Sequence, residues 1–323
     1  MLHLKIFAHS ANEHLTACLF EHLNILVKQS ECLSVSVTSK VHVEDEGCSD
    51  VVYIVSFPQC ADLSKWPNVY RVLYQVEQFP HGFIYHDAKF WKLFMSPWVV
   101  GCWDYTGANI EHYPILLRDK VCIVPFPPCI HNHVQRLIKP SIDVLFFGRL
   151  NPRRTRIMTT LFFMLRQQGI SVTYVYNIFN QELMHTIQKA KIVLNIHYFC
   201  SDKAYLETYR LNEILSQKAF VISETPCQAD RASMQLYTKS GILFTPAIRG
   251  IFSNDTTTVS DTPHLLKLVK LIQYYHKNQF ARFSSISQNN HYIKREQPMF
   301  AEFLKNGLKA LRFDDEIQNL ENI

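Results

Sequence analysis

Two stretches of this chain gather side chains able to hold a charged ligand. In DVLFFGRLNPRR, Gly148 leaves an apolar run, and Arg149, Arg153 and Arg154 follow just before a helix start. Glycine lets a backbone approach a ligand closely. A helix N-terminus offers free N–H groups and a positive dipole end, and an arginine fork can take two phosphate oxygens. The same residues also fit a plain cap at Pro152 with solvated arginines, and no second glycine completes a dinucleotide-binding fingerprint. In LETYRLNEILSQKAFVISE, Glu207, Arg210 and Glu213 stand three apart on one helix. A carboxylate there can accept from a pair of sugar or ribose hydroxyls, and an arginine beside it can neutralise a diphosphate leaving group. An ordinary intrahelical ion pair between Glu207 and Arg210 is the plainer reading.

Other strand ends carry single polar residues. Glu77 and Asp104 have the chemistry of a general base for an attacking hydroxyl, although an Asp just before a helix is often an N-cap. His197 closes LNIHYF and can hydrogen-bond a hydroxyl or a phosphate, while Asn177 ends SVTYVYN, where a nucleotide base would reach. No Asp-x-Asp sits at a strand end to call for a bound metal.

These residues need a scaffold that brings strand ends together, and the hydrophobic pattern supplies one. LKIFAH, LSVSVTSK, DVVYIVSF, YRVLYQVEQF, VVGCWDY and KVCIVPFP read as strands, with helices over residues 12–29, around AKFWKLFMSPW, and over 107–116. After HNHVQRLIKPSI a second series begins at DVLFFG. It runs through a helix over 153–168 with Gly169 as C-cap, SVTYVYN, a helix over 181–189, KIVLNIHYF, a helix over 206–217, AFVISE and GILFT, and then a helical tail from His264. Alternating strands and helices force parallel pairing and right-handed crossovers. The expected fold is α/β, with two doubly wound Rossmann-like domains facing a cleft: residues 1–135, and residues 136–323 with a tail that can pack back on the first domain. Ligands of such sheets bind beyond the carboxyl ends of the strands.

Bulk properties agree. The 323 residues are 47% hydrophobic and 19% charged, which is the composition of a packed globular protein. A net charge of +5 without a basic stripe in sequence order argues against stable nucleic-acid binding. Nine cysteines without metal-ligand spacing read as free core thiols in a reducing compartment. With no signal-peptide core and no membrane-spanning run, the expectation is a soluble, cytoplasmic protein, with a peripheral membrane contact left open.

DVLFFGRLNPRR, AKIVLNIHYF and ETYRLNEILSQKAFVISE together resemble the donor half of glycosyltransferases of the two-Rossmann-domain (GT-B) architecture. YRVLYQVEQF, GCWDYTGANIEHYPI and VCIVPFPP are similar to glycosyltransferase-like proteins of microbes and large viruses. The resemblance implies that Arg210 and Glu213 contact a nucleotide sugar, with Arg153 or Arg154 as the basic partner of its diphosphate. It also implies transfer to an acceptor hydroxyl in the interdomain cleft, with residues 1–135 on the acceptor side and residues 136–323 on the donor side, and with arginines and a helix N-terminus stabilising the leaving diphosphate without a metal. One position departs: many retaining relatives carry two glutamates eight positions apart, and Tyr205 stands where the first would be, with Glu207 out of register. The acceptor, whether saccharide, lipid-linked sugar, protein or modified base, is not legible. Two other functions stay open: a non-catalytic nucleotide- or sugar-binding sensor or scaffold, and a nucleotide-sugar epimerase on the same fold.

Overall fold

The computed structural model describes residues 1–8, 13–58, 61–76, 78–79, 88–127, 139–199, 204–237, 239–248 and 262–311. The chain divides into two compact units, Met1–His131 with Glu296–Ile323, and Asn132–Arg295.

The first unit is built on a parallel six-stranded sheet. Its strands are β1 (Leu2–Phe7), β2 (Leu33–Thr38), β3 (Val51–Ser56), β4 (Tyr70–Gln75), β5 (Val99–Asp104) and β6 (Val121–Ile123), in the order β2-β1-β3-β4-β5-β6. Helices α1 (Glu13–Val27) and α2 (Ala88–Phe94) make crossovers. The expected helix over 107–116 is instead a pair of 3-10 helices, Gly107–His112 and Ile115–Lys120. Pro114 sits between them, and a residue without an N–H cannot carry a helical ladder through.

The second unit repeats the plan with five parallel strands: β7 (Ile142–Phe147), β8 (Val172–Val175), β9 (Ala190–Asn195), β10 (Val221–Glu224) and β11 (Leu243–Thr245). Their order is β11-β10-β9-β7-β8. The chain moves from β7 outward to β8 and then crosses back to β9, which makes the β7/β9 boundary the topological switch point. The crossover helices are α3 (Pro152–Arg166), α4 (Asn180–Gln188) and α5 (Thr208–Ser216); a short α6 (Arg231–Gln235) precedes β11. Alternation along β7 feeds both cores. Val144 and Phe146 pack with Ile157, Leu161 and Leu165 of α3, while Leu145 and Phe147 pack with Leu211, Ile214 and Leu215 of α5.

The tail forms α7 (Thr262–Lys277) and α8 (Gln279–Lys309). Helix α7 packs Leu265, Leu268 and Ile272 into the same core as α3. The first part of α8 belongs to the second unit and the rest to the first, where Trp103 Nε1 donates to Gly307 O at 3.1 Å. All six cysteines described are free thiols; Cys18, Cys102 and Cys227 are buried, whereas Cys32, Cys48 and Cys122 lie outside the core where core thiols were expected.

Candidate functional site

The carboxyl ends of β7, β9 and β10, with the N-terminal ends of α3 and α5, gather most of the charged residues singled out from the sequence. Helix α3 starts cleanly because Asn151 Oδ1 accepts from Arg154 N at 2.8 Å and Pro152 needs no partner at the first helical position. Asn151 also donates through Nδ2 to Tyr198 O at 2.6 Å, which ties this helix start to the chain leaving β9.

Arg153 and Arg154 do not lie on the surface. Arg153 is 2% exposed, and its terminal nitrogens donate to His197 O, Ile248 O and Glu224 Oε1, the last at 2.5 Å. Glu224, at the end of β10, also accepts from Ile248 N and His197 N. This fully buried pair welds strand ends together, so Arg153 is an internal tie where a phosphate ligand was expected. Removing one partner of such a pair leaves an uncompensated charge, at about 3–5 kcal/mol. Arg154, 1% exposed, donates to Ile196 O from two nitrogens and to Arg149 O, and pairs with Glu207 Oε1 at 2.7 Å. Its guanidinium lies 5.4 Å from the Phe146 ring centroid and 5.2 Å from that of Tyr198. Burial lowers its pKa to about 10, with Glu207 opposing, so it stays charged at neutral pH.

Glu207 stands between two arginines. Burial acts to raise its pKa, but Arg210 and Arg154 overcome that and hold the carboxyl below its ordinary value. The contact of Arg210 Nη1 with Glu207 Oε2 is 2.9 Å, yet neither atom has hydrogen-bond geometry with any described partner. Arg210 is held instead by charge and by its position 5.3 Å from the Phe147 ring centroid. It rests against Gly148, whose φ of 113° suits glycine; a Cβ added there would meet Arg210 Nη2 at 2.8 Å. The Arg149 side chain, next along, is exposed.

Glu213 lies one turn beyond Arg210 and is 3% exposed; its backbone carbonyl accepts from Ser216 Oγ at 2.7 Å, and its carboxyl feels the charge of Arg210. Burial pushes its pKa up to about 7 against the pull of Arg210. His197 is fully buried, and burial lowers its pKa. In the neutral ring, Nε2 donates to Glu224 O at 3.0 Å and Nδ1 has no described partner. Asn177 is exposed at the end of β8 with a positive φ of 57°.

In the first unit Asp104 is fully buried. It accepts from Thr106 N, from Asn109 Nδ2 at 3.1 and 3.2 Å, and from Tyr113 OH at 2.9 Å. That arrangement anchors the 3-10 turn after β5 and leaves the carboxylate no exposed oxygen for a base. Glu77 lies outside the described residues. The residue missed from the sequence is Glu224, the counter-ion of Arg153; its place as the last residue of an apolar strand was the available signal.

Two guanidiniums, those of Arg154 and Arg210, flank the Glu207 carboxylate, and Arg210 rests against Gly148. Positive charge is in excess at the switch point, in the setting where a doubly wound sheet binds its ligand.

No family model matches the chain, and no curated protein matches it. Solved structures do. The DNA-modifying enzyme beta-glucosyltransferase, studied in the presence and absence of uridine diphosphoglucose, aligns at a TM-score of 0.55 and 12% identity, covering 97% of this chain and 100% of that one. T4 phage BGT in complex with its UDP-glucose substrate aligns at 0.52 and 11% identity, covering 97% and 99%. A mutant of S. aureus TarM in complex with fondaparinux, alpha-GlcNAc-glycerol and UDP also aligns at 0.52 and 11%, covering 81% of this chain and 56% of that one, so the chain spans just over half of TarM's length. What this chain shares with them is the fold, the two-domain α/β architecture of GT-B glycosyltransferases.

Proposed function

We propose that this chain is a glycosyltransferase that moves a sugar from a nucleotide-sugar donor to an acceptor hydroxyl, with the donor held at the carboxyl ends of the second unit's strands. The observation that carries the reading is the contrast within the strand-end cluster. Arg153, Arg154 and Glu224 are spent on internal bonds, whereas the Arg210 contact with Glu207 lacks hydrogen-bond geometry, Arg149 is exposed, and burial pushes the pKa of the Glu213 carboxyl up to about 7. Those uncommitted groups suit a diphosphate and the hydroxyl pair of a ribose. Arg210 and Arg149 take the diphosphate, Glu213 accepts from the ribose, Gly148 lets the ligand approach, and Asn177 reaches the base. The neighbours bound to UDP, UDP-glucose or uridine diphosphoglucose support the donor class.

In this reading the departing diphosphate is stabilised by arginines and the start of α3. Transfer then persists when divalent ions are chelated. A second reading, a nucleotide-sugar-binding protein without transfer, is favoured by one fact: the Asp104 carboxylate is consumed by Asn109, Thr106 and Tyr113.

The test is thermal stabilisation by UDP-, GDP-, ADP- and CMP-type nucleotides and their sugars, on the natural chain and on Arg210→Ala and Glu213→Ala. A ligand at about 100 times its Kd adds about 2.7 kcal/mol. One nucleotide class should shift the natural chain and not the folded variants, and no shift with any class would remove the donor site. Release of free nucleotide on adding candidate acceptors separates transfer from mere binding.

A further inference from the structure

Helices α3 and α7 pack side by side on one face of the second unit's sheet, sharing a core with Val144, Phe146 and Ile192. Their outward sides have an unusual make-up. Neither helix contains a single Asp or Glu. On α7, Lys267, Lys270 and Lys277 are exposed together with Leu266 and Tyr274; on α3, Arg166 is exposed together with Phe162 and Phe163. Phe163 is 62% exposed and Tyr274 54%. The Arg166 guanidinium lies 5.6 Å from the Phe162 ring centroid, and the two phenyl rings stand edge to face.

A merely solvated helix face needs no cluster of large apolar side chains, and a protein partner for this face would have to carry an acidic apolar surface of its own. Interleaved cations and aromatic rings are what the headgroup layer of an anionic bilayer accepts: lysines and arginines meet the phosphates while rings and leucine enter the acyl boundary. A nucleic-acid duplex would satisfy the cations and leave Phe162, Phe163 and Leu266 in water. We propose that the outer faces of α3 and α7 dock this chain onto an anionic lipid surface. Among the described residues no helix is long and apolar enough to cross a membrane; the proposed contact is with the bilayer surface. The proposal is independent of the donor-site reading, because none of its residues belongs to the strand-end cluster.

The test is co-sedimentation of the full chain with vesicles of phosphatidylcholine alone and of phosphatidylcholine mixed with phosphatidylglycerol. Binding is expected to the anionic vesicles only and to weaken with added salt. Each basic side chain near such a surface is worth about a fivefold gain in partition, so K267E/K270E/K277E should lose on the order of a hundredfold or more. K267Q/K270Q/K277Q serves if the charge reversals unfold the unit. F162S/F163S should lose about tenfold with every charge in place. Lys189→Glu, at the end of α4 on the opposite core, should change little. Failure to sediment with anionic vesicles overturns the proposal, as does undiminished binding by the lysine variants. If F162S/F163S binds as well as the natural chain and a DNA duplex displaces the vesicles, the face belongs to nucleic-acid phosphates and the lipid assignment falls.

Discussion

Arg153 and Arg154 are neighbours in the chain and both are buried, so residues available for chemistry are to be found among those the framework leaves uncommitted. Glu213 is one, and it makes a thermodynamic prediction. An unfolded chain releases this proton near the ordinary value of 4.5, whereas the folded protein holds it up to about 7. Between these values the native state carries a proton that the unfolded state has lost, so Glu213 makes stability fall as pH rises, and the loss levels off above about 7. Glu213→Gln removes that dependence. Compared with the natural chain it should unfold at similar urea near pH 4, and gain up to about 3 kcal/mol at pH 8. Parallel stability profiles for the two proteins would mean that the carboxyl is solvated and the burial argument is wrong. The same variant should weaken nucleotide stabilisation, because an amide cannot accept from both hydroxyls of a ribose as a carboxylate does.

At the scale of elements, the second unit depends on helices seated closely against its strands. Gly241 precedes β11 with φ of 79°, and a Cβ built there would come within 2.0 Å of Ser285 O in the backbone of α8. Gly169, after α3, has a similar φ of 70° but nothing within 4 Å of its added Cβ. The pair separates backbone preference from close approach. Gly169→Ala should cost only the left-handed penalty, about 1–2 kcal/mol. Gly241→Ala must also push a helix backbone away, and should cost roughly 3 kcal/mol or more. Both are read from urea midpoints of the same unit. Equal losses would show that α8 yields at Ser285 and is not tightly seated there.

At the scale of the whole molecule, the chain begins in the first unit, builds the second and returns to the first. Phe300, Leu304, Leu308 and Leu311, all nearly fully buried, belong to that returning segment. Each is worth about 1.5–3 kcal/mol of burial, and together they rival the net stability of a domain, roughly 5–15 kcal/mol. A chain ending at Arg295 should therefore lose the first unit and keep the second. The four tryptophans, Trp66, Trp91, Trp98 and Trp103, all lie in the first unit, so fluorescence reports it selectively. The truncated chain should show water-exposed tryptophan emission while nucleotide still protects the second unit from protease. Native-like emission would mean that the first unit closes its core without the tail.

Periodicity by itself determined the two series of strands and helices, their parallel pairing and the strand ends where charged residues collect. Those are local matters: apolar runs buried on both faces, amphipathic helices between them, and glycine or proline at the breaks. The helix expected over 107–116 was misread because the pattern of apolar residues does not register the break that Pro114 imposes. Only the tertiary structure decided how the charged residues divide. Arg153 and Arg210 look equally available in the chain, yet Arg153 meets Glu224 seventy-one positions away and is consumed by it, whereas Arg210 meets Glu207, one turn earlier and out of line for a hydrogen bond. Asp104, legible as either a cap or a base, proved to be an anchor because Asn109 and Tyr113 fold back onto it. A charged side chain's role depends on whether a partner reaches it, and partners distant in sequence are fixed only when the strands pair.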